Sequence, residues 1–212
     1  MLGILDYGMG NIFSIYNATK HAGFNSKIIT SAKQISSCDA IIVPGVGAFK
    51  DAMLRIFKLE LIDELNIFYE SGKYIMGVCL GMQLFGESSN EFGFHKGLGF
   101  VPCNTFKIPS HYAGVKLIRP HIMWNRIILN RDSSDVSKLY SHIKENEYMY
   151  FVHSFYVDLM PKNNVLTYTR YGEFQFCSSY QFNNVIGIQF HPEKSGENGL
   201  RILNNFKKII YK

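Results

Sequence analysis

Short apolar runs alternate with helix-periodic segments up to about Gly86, after which the texture changes. Gly3 to Leu5 reads as a strand. Ile12, Ile15, Tyr16 and Thr19 mark one face of a helix ending near Gly23, a common carboxyl-terminal stop. Ser26 to Ile29 and Ala40 to Val43 read as further strands. Leu61, Leu65, Phe68 and Tyr69 line another helix, stopped at Gly72, and Tyr74 to Val78 is a buried strand with a helix following from about Leu80. Apolar strands separated by helices predict a mostly parallel sheet covered on both faces. From Gly86 to about Asn130 glycine, proline and polar residues are frequent, with short strand candidates such as Gly99 to Val101. Tyr148 to Val152, Val165 to Tyr171, Phe174 to Tyr180 and Val185 to Phe190 are strands spaced by turn residues such as Lys162-Asn163-Asn164 and Asn183-Asn184, the pattern of antiparallel hairpins. A last helix carries Leu200, Leu203, Phe206 and Ile210 on one face. No repeat or linker divides the chain, so residues 1–212 are expected to form one α/β domain with an antiparallel extension.

Composition narrows the class. With 212 residues, 47% hydrophobic, 15% aromatic and 18% charged, the chain is too apolar for disorder and large enough to fold without disulfides or metal. No run of about 18 apolar residues exists, which excludes a membrane-spanning helix. The amino terminus reads as a strand, not as a secretory signal. The net charge of +5 is scattered, and Lys207-Lys208 is the longest basic run, which argues against a nucleic-acid partner. Four cysteines, Cys38, Cys79, Cys103 and Cys177, form no Cys-x-x-Cys pair, so zinc ribbons and thioredoxin-like sites are not expected. Reduced thiols in a cytoplasmic protein are expected instead. Asn17-Ala18-Thr19 is then a chance sequon.

Cys79 stands apart. Gly77-Val78-Cys79-Leu80-Gly81 lies between an apolar strand and a helix, the thiol version of a nucleophile elbow. Small residues two before and two after the nucleophile are needed where the chain crowds beneath the turn. The helix amino terminus favours thiolate, and the next amide, that of Leu80, is aimed at an oxyanion. The other three cysteines read as buried and inert. Ile186-Gly187-Ile188-Gln189-Phe190-His191-Pro192-Glu193 supplies the rest of a triad. His191 can take and return the thiol proton, and Glu193, two residues on in an extended segment, can orient the imidazole. Ala40 to Val43 runs into Pro44-Gly45-Val46-Gly47, a glycine-flanked loop able to present amides to an anion. Asp6-Tyr7-Gly8-Met9-Gly10-Asn11-Ile12-Phe13 half matches a dinucleotide loop, but Phe13 replaces the third glycine and no ribose-binding carboxylate follows, so dinucleotide binding is rejected.

Taken together, Gly-x-Cys-x-Gly, the preceding Pro-Gly-x-Gly and the late His-Pro-Glu resemble the class I (triad) glutamine amidotransferases, whose fold is flavodoxin-like. Within that class, Asp6-Tyr7-Gly8-Met9-Gly10-Asn11, Pro44-Gly45-Val46-Gly47, Pro120-His121-Ile122-Met123-Trp124-Asn125 and Tyr150-Phe151-Val152-His153-Ser154 resemble the glutaminase subunits of imidazole glycerol phosphate synthases, in order along the whole chain. The resemblance implies a single type 1 amidotransferase domain in which Cys79 attacks L-glutamine, His191 shuttles protons and Glu193 orients it. It further implies an oxyanion hole of Val46 and Leu80 amides on a loop that can reorient. Gly45, Gly47, Gln83, His153 and Ser154 would bind substrate. Asn11, Trp124, Asn125, Tyr150 and Lys194 would face a (βα)8-barrel synthase subunit that accepts the ammonia in histidine biosynthesis. No cofactor, metal, nucleic acid or membrane is implied.

Two positions depart from the pattern. Met123 stands where glycine is common before the Trp-Asn pair, and Phe155 where an aromatic hydroxyl is common. They leave open a paralogous glutaminase serving an amidino-sugar pathway. A cysteine peptidase or other thiol hydrolase on the same elbow, and a non-catalytic scaffold subunit, are the readings from other classes. The scaffold's expected sign, loss of Cys79 or His191, is missing. The glutaminase of the vitamin B6 pathway shares the triad but carries Gly-Gly-Glu-Ser where this chain has Pro44-Gly45-Val46-Gly47.

Overall fold

A computed structural model describes residues 1–158, 161 and 163–212. The first half builds β1 (Leu2–Leu5), α1 (Ile12–His21), β2 (Ser26–Ile29), α2 (Ala32–Ser36), β3 (Ala40–Gly45), α3 (Phe49–Lys58), α4 (Ile62–Glu70), β4 (Tyr74–Cys79) and α5 (Leu80–Leu84). Short strands follow: β5 (Ser88–Ser89), β6 (His95–Lys96), β7 (Asn104–Lys107), β8 (His111–Tyr112), β9 (Val115–Lys116), β10 (His121–Arg126) and β11 (Ile128–Leu129). After α6 (Val136–Leu139) come β12 (Tyr148–His153), β13 (Phe155–Val157), β14 (Val165–Tyr171), β15 (Phe174–Phe182), β16 (Val185–Ile188), a 3-10 turn (Pro192–Lys194) and α7 (Gly196–Ile210).

The main sheet runs β2-β1-β3-β4-β16-β15-β13-β7-β5-β6, with β14 and β11 added beside β15. β2, β1, β3, β4 and β16 pair in parallel, and β15 begins the antiparallel extension. The expected mixed architecture is therefore present. β1, β3 and β16 are buried along their full length, as two-sided cover by helices requires. One apolar core joins this sheet to α1 and α7, where Ile202, Leu203, Phe206 and Ile209 face inward. Each such side chain contributes about 1.5–3 kcal/mol of burial. A second core packs α3 and α4 on the opposite face through Phe49, Ala52, Ile56, Leu65 and Phe68.

Several local expectations need correction. Gly99 to Val101 is irregular chain; its Phe100 and Val101 are buried by packing, without ladder partners. Helices α2 and α3 went unforeseen, and the helix from Leu80 is one short segment. Strand β16 stops at Ile188, short of Phe190. Of the anticipated 162–164 turn, Lys162 lies outside the described residues, while Asn163-Asn164 forms the turn. Among the described residues no helix is long and apolar enough to cross a membrane.

Candidate active site

The sheet delivers its parts at adjacent strand ends. Parallel pairing sets Gly45 of β3 beside Cys79 of β4, and Ile188 of β16 beside Val78. Cys79 adopts φ 55°, ψ −109°, a strained turn between β4 and α5. The flanking glycines explain how the chain accommodates it. A Cβ on Gly81 would lie 1.8 Å from the Val43 carbonyl oxygen, and one on Gly77 2.6 Å from the Gly81 carbonyl. A nucleophile elbow commonly exposes its side chain at the tip of the turn. Instead Cys79 is only 6% exposed and lines a cavity of about 250 Å³ with Val46, Gly47, Leu80, Gln83, His153 and Ser154. Its Sγ lies 3.7 Å from the Val152 carbonyl and 3.6 Å from Gln189 Nε2.

His191 Nδ1 is 2.8 Å from Glu193 Oε1, and both side chains are buried. The contact joins residues i and i+2 as expected, yet the backbone is different: His191 is extended at φ −98°, ψ 99°, and Pro192–Lys194 turns as a 3-10 helix. His191 Nε2 is buried and makes no hydrogen bond of good geometry among the described residues. Burial acts to lower the His191 pKa, but the Cys79 thiol and Glu193 outweigh it and raise it to about 10. An imidazole so placed is charged at neutral pH and can stabilise a thiolate and protonate a leaving amine. Burial pushes the Cys38, Cys103 and Cys177 thiols up, in keeping with inert cysteines.

A model of "Glutamine amidotransferase class-I" matches residues 3–209. The chain belongs to the class I glutamine amidotransferases. Curated relatives of this amidotransferase include "Imidazole glycerol phosphate synthase subunit HisH" of Caldanaerobacter subterraneus subsp. tengcongensis, 42% identical over 99% of this chain and 98% of the relative. The protein of the same description from Aquifex aeolicus is 40% identical over 97% of this chain and 95% of the relative. Among solved structures, a glutamine amidotransferase superposes with a TM-score of 0.75 at 16% identity, over 100% and 99% of the two chains. PurLQS from Thermotoga maritima does so at 0.72 and 18%, over 98% and 97%. At those identities the structures support the fold.

The remaining predicted residues of the amidotransferase distribute as follows. Gln83 faces the cavity, donating to the Phe155 carbonyl at 3.1 Å and Gln189 Oε1 at 3.0 Å. Gly45 does not line the cavity; a Cβ there would meet the Tyr7 hydroxyl at 2.7 Å and Leu80 at 2.9 Å. Trp124 is exposed, rests edge-on against Tyr150 at 5.9 Å, and Lys194 Nζ lies 5.7 Å above the Tyr150 ring. Asn11 is exposed at the start of α1. Asn125 is engaged internally, with Nδ2 donating to the Arg170 carbonyl and 3.1 Å from His121 Nε2. Met123 is exposed on β10, and Phe155 bonds through its carbonyl, so neither departure disturbs the fold. A larger depression along α3, about 580 Å³ and lined by Met9, Asp51, Arg55 and Lys58, contains neither cysteine nor histidine.

Sequence reasoning missed Glu91, Gln189, Tyr7 and His121. Glu91 is 8% exposed, lines the cavity and accepts the Phe49 amide at 2.6 Å. It sits in a glycine-rich stretch with no periodicity to flag it. Tyr7 donates its hydroxyl to the Pro44 carbonyl at the base of the Gly45-Val46-Gly47 loop. Its burial and the nearby Cys79 raise its pKa, so it remains a donor. His121 Nδ1 lies 2.9 Å from His153 Nε2 across the β10–β12 ribbon.

This buried pair carries a prediction. Burial lowers the His121 pKa to about 4; burial and then the His121 charge lower that of His153 to about 3. Folded pKa values below the unfolded value of about 6.5 mean that stability is fully present above pH 6.5 and is lost as pH falls toward 4. His191, shifted upward, acts in the opposite sense: its contribution is present below about pH 6.5 and is lost as pH rises through 10. Denaturant titrations should show a net loss of roughly 2 kcal/mol between pH 7 and pH 5. Equal or greater stability at pH 5 would refute a neutral histidine pair.

Proposed function

We infer that this chain is the glutaminase subunit of an imidazole glycerol phosphate synthase, hydrolysing L-glutamine and passing ammonia to a (βα)8-barrel synthase subunit in histidine biosynthesis. The observation that carries the reading is a strained Cys79 elbow lining a cavity, with a buried His191–Glu193 pair, in a chain 42% identical over nearly its full length to a subunit of that synthase.

In this mechanism Cys79 Sγ attacks the glutamine carboxamide carbon, and the amides of Val46 and Leu80 receive the oxyanion. His191 protonates the departing nitrogen, which leaves as ammonia. A glutamyl thioester remains on Cys79. Water, deprotonated by His191, then adds to the thioester carbon, and glutamate leaves as the thiolate returns. Glu91 is the one acidic side chain lining the cavity and is suited to the α-ammonium of glutamine. Gly47, Gln83, His153 and Ser154 complete the enclosure.

The partner face is supported by Ile122 and Trp124, large exposed side chains that share one face of the β10–β12 ribbon. Asn11, Tyr150 and Lys194 would edge that face, while Asn125, bonded to the Arg170 carbonyl and to His121, braces it from within. The chain, mixed with a candidate barrel subunit and its acceptor nucleotide, should release glutamate faster than alone. A response only to an amidino-sugar partner would redirect the pathway assignment. Cleavage of peptides in preference to glutamine would overturn the activity. Glu193→Gln should lower kcat by roughly 10²- to 10⁴-fold with KM little changed, because the imidazole loses its orienting anion. A kcat within threefold of wild type would remove Glu193 from the triad.

A further inference from the structure

Glu193 fixes the His191 ring, but the His191 backbone needs its own anchor, since β16 ends at Ile188, three residues before it. That anchor is Tyr150 on β12. The His191 N–H donates to the Tyr150 carbonyl at 2.9 Å. The Ser195 hydroxyl closes the return path: it accepts the Tyr150 N–H at 3.0 Å and donates to the His191 carbonyl at 2.6 Å. Ser195 is 2% exposed, and although it stands at the start of α7 its side chain does not cap that helix. Its two bonds are spent on joining two backbones.

The joined strand matters at both ends. Two residues on, the Val152 carbonyl faces Cys79 Sγ, so β12 touches nucleophile and base alike. The Tyr150 ring lies against Trp124 and under Lys194 on the exposed face of the ribbon. We propose that Ser195 is a positioning residue, whose hydroxyl locks His191 onto β12 and thereby sets the imidazole relative to the Cys79 thiol. Without the hydroxyl, the Tyr150 N–H loses its acceptor and the His191 carbonyl its donor, leaving the single His191 N–H bond to the Tyr150 carbonyl to hold strand and turn in register. The same lock makes the Trp124–Tyr150 face mechanically continuous with the triad.

The proposal rests on the glutaminase reading, and its test separates the two. Ser195→Ala and Ser195→Cys are compared with wild type; the cysteine keeps the volume and lacks a strong hydroxyl donor, so it carries the test where alanine unfolds the chain. In complex with the barrel partner, kcat for glutamate release should fall roughly 10- to 100-fold, with KM for glutamine within about twofold. With the isolated chain, iodoacetamide labelling of Cys79, read by mass spectrometry at pH 7, should slow roughly tenfold, because the thiol loses its aligned imidazole. An unchanged kcat and labelling rate in a folded variant overturns the proposal, as does a loss confined to KM. Absence of glutamate release by the wild-type complex overturns the glutaminase reading instead, while the labelling comparison still decides the role of Ser195.

Discussion

Replacing Cys79 with alanine should reduce glutamine hydrolysis by roughly 10⁴- to 10⁶-fold while leaving fold and partner docking intact. The thiol is the sole cysteine on the cavity, and the other three are buried elsewhere with raised pKa values. The structural cost is small. Alanine keeps the Cβ and hence the elbow's backbone, and the lost Sγ contacts are long ones, to the Val152 carbonyl and Gln189. Thermal unfolding should therefore shift by only a few degrees, equivalent to about 1 kcal/mol. Measurement requires glutamate release, a melting curve and co-purification with the partner on the same preparation. Residual hydrolysis above a tenth of wild type would end the triad assignment.

The second large effect is on stability. Gly81→Ala should destabilise the protein by at least about 3 kcal/mol, far more than Cys79→Ala. The added methyl would sit 1.8 Å from the Val43 carbonyl oxygen, on the central strand β3, where no flexible side chain can yield. Relief requires moving β3 or α5, and either displaces the Gly45-Val46-Gly47 loop from Cys79. Activity and stability should fall together, whereas at Cys79 they separate. Gly72→Ala provides the contrast: a methyl there meets nothing, and the cost is limited to its φ of 76°. Denaturant midpoints for the two glycine variants that differ by less than about 1 kcal/mol would contradict the crowding at the elbow.

These two variants probe features of different legibility. The elbow could be read locally, because crowding between residues two before and two after Cys79 forces glycine at both places. The same holds for His191 and Glu193, which lie two residues apart, although their pairing runs through a 3-10 turn and not an extended strand. Helix α3 shows the opposite. Phe49, Ala52 and Ile56 mark its buried face, but it begins directly after a glycine-flanked loop and carries no side-chain cap at Ala48 to signal its start.

The sequence by itself determined the α/β order, the family, and the candidate nucleophile and base. Each of these is written in short-range periodicity or in motifs whose residues are close along the chain. Tertiary structure alone decided that Cys79 is buried at a cavity, that Glu91 lines the same cavity, that Asn125 turns inward to His121, and that Ser195 joins Tyr150 to His191. Such contacts span segments far apart in sequence, and strand pairing fixes them: β3, β4 and β16 end together only because their parallel register aligns them. A single polar residue in a loop carries no periodic signal; its partner, and therefore its chemistry, exists only once the sheet has formed.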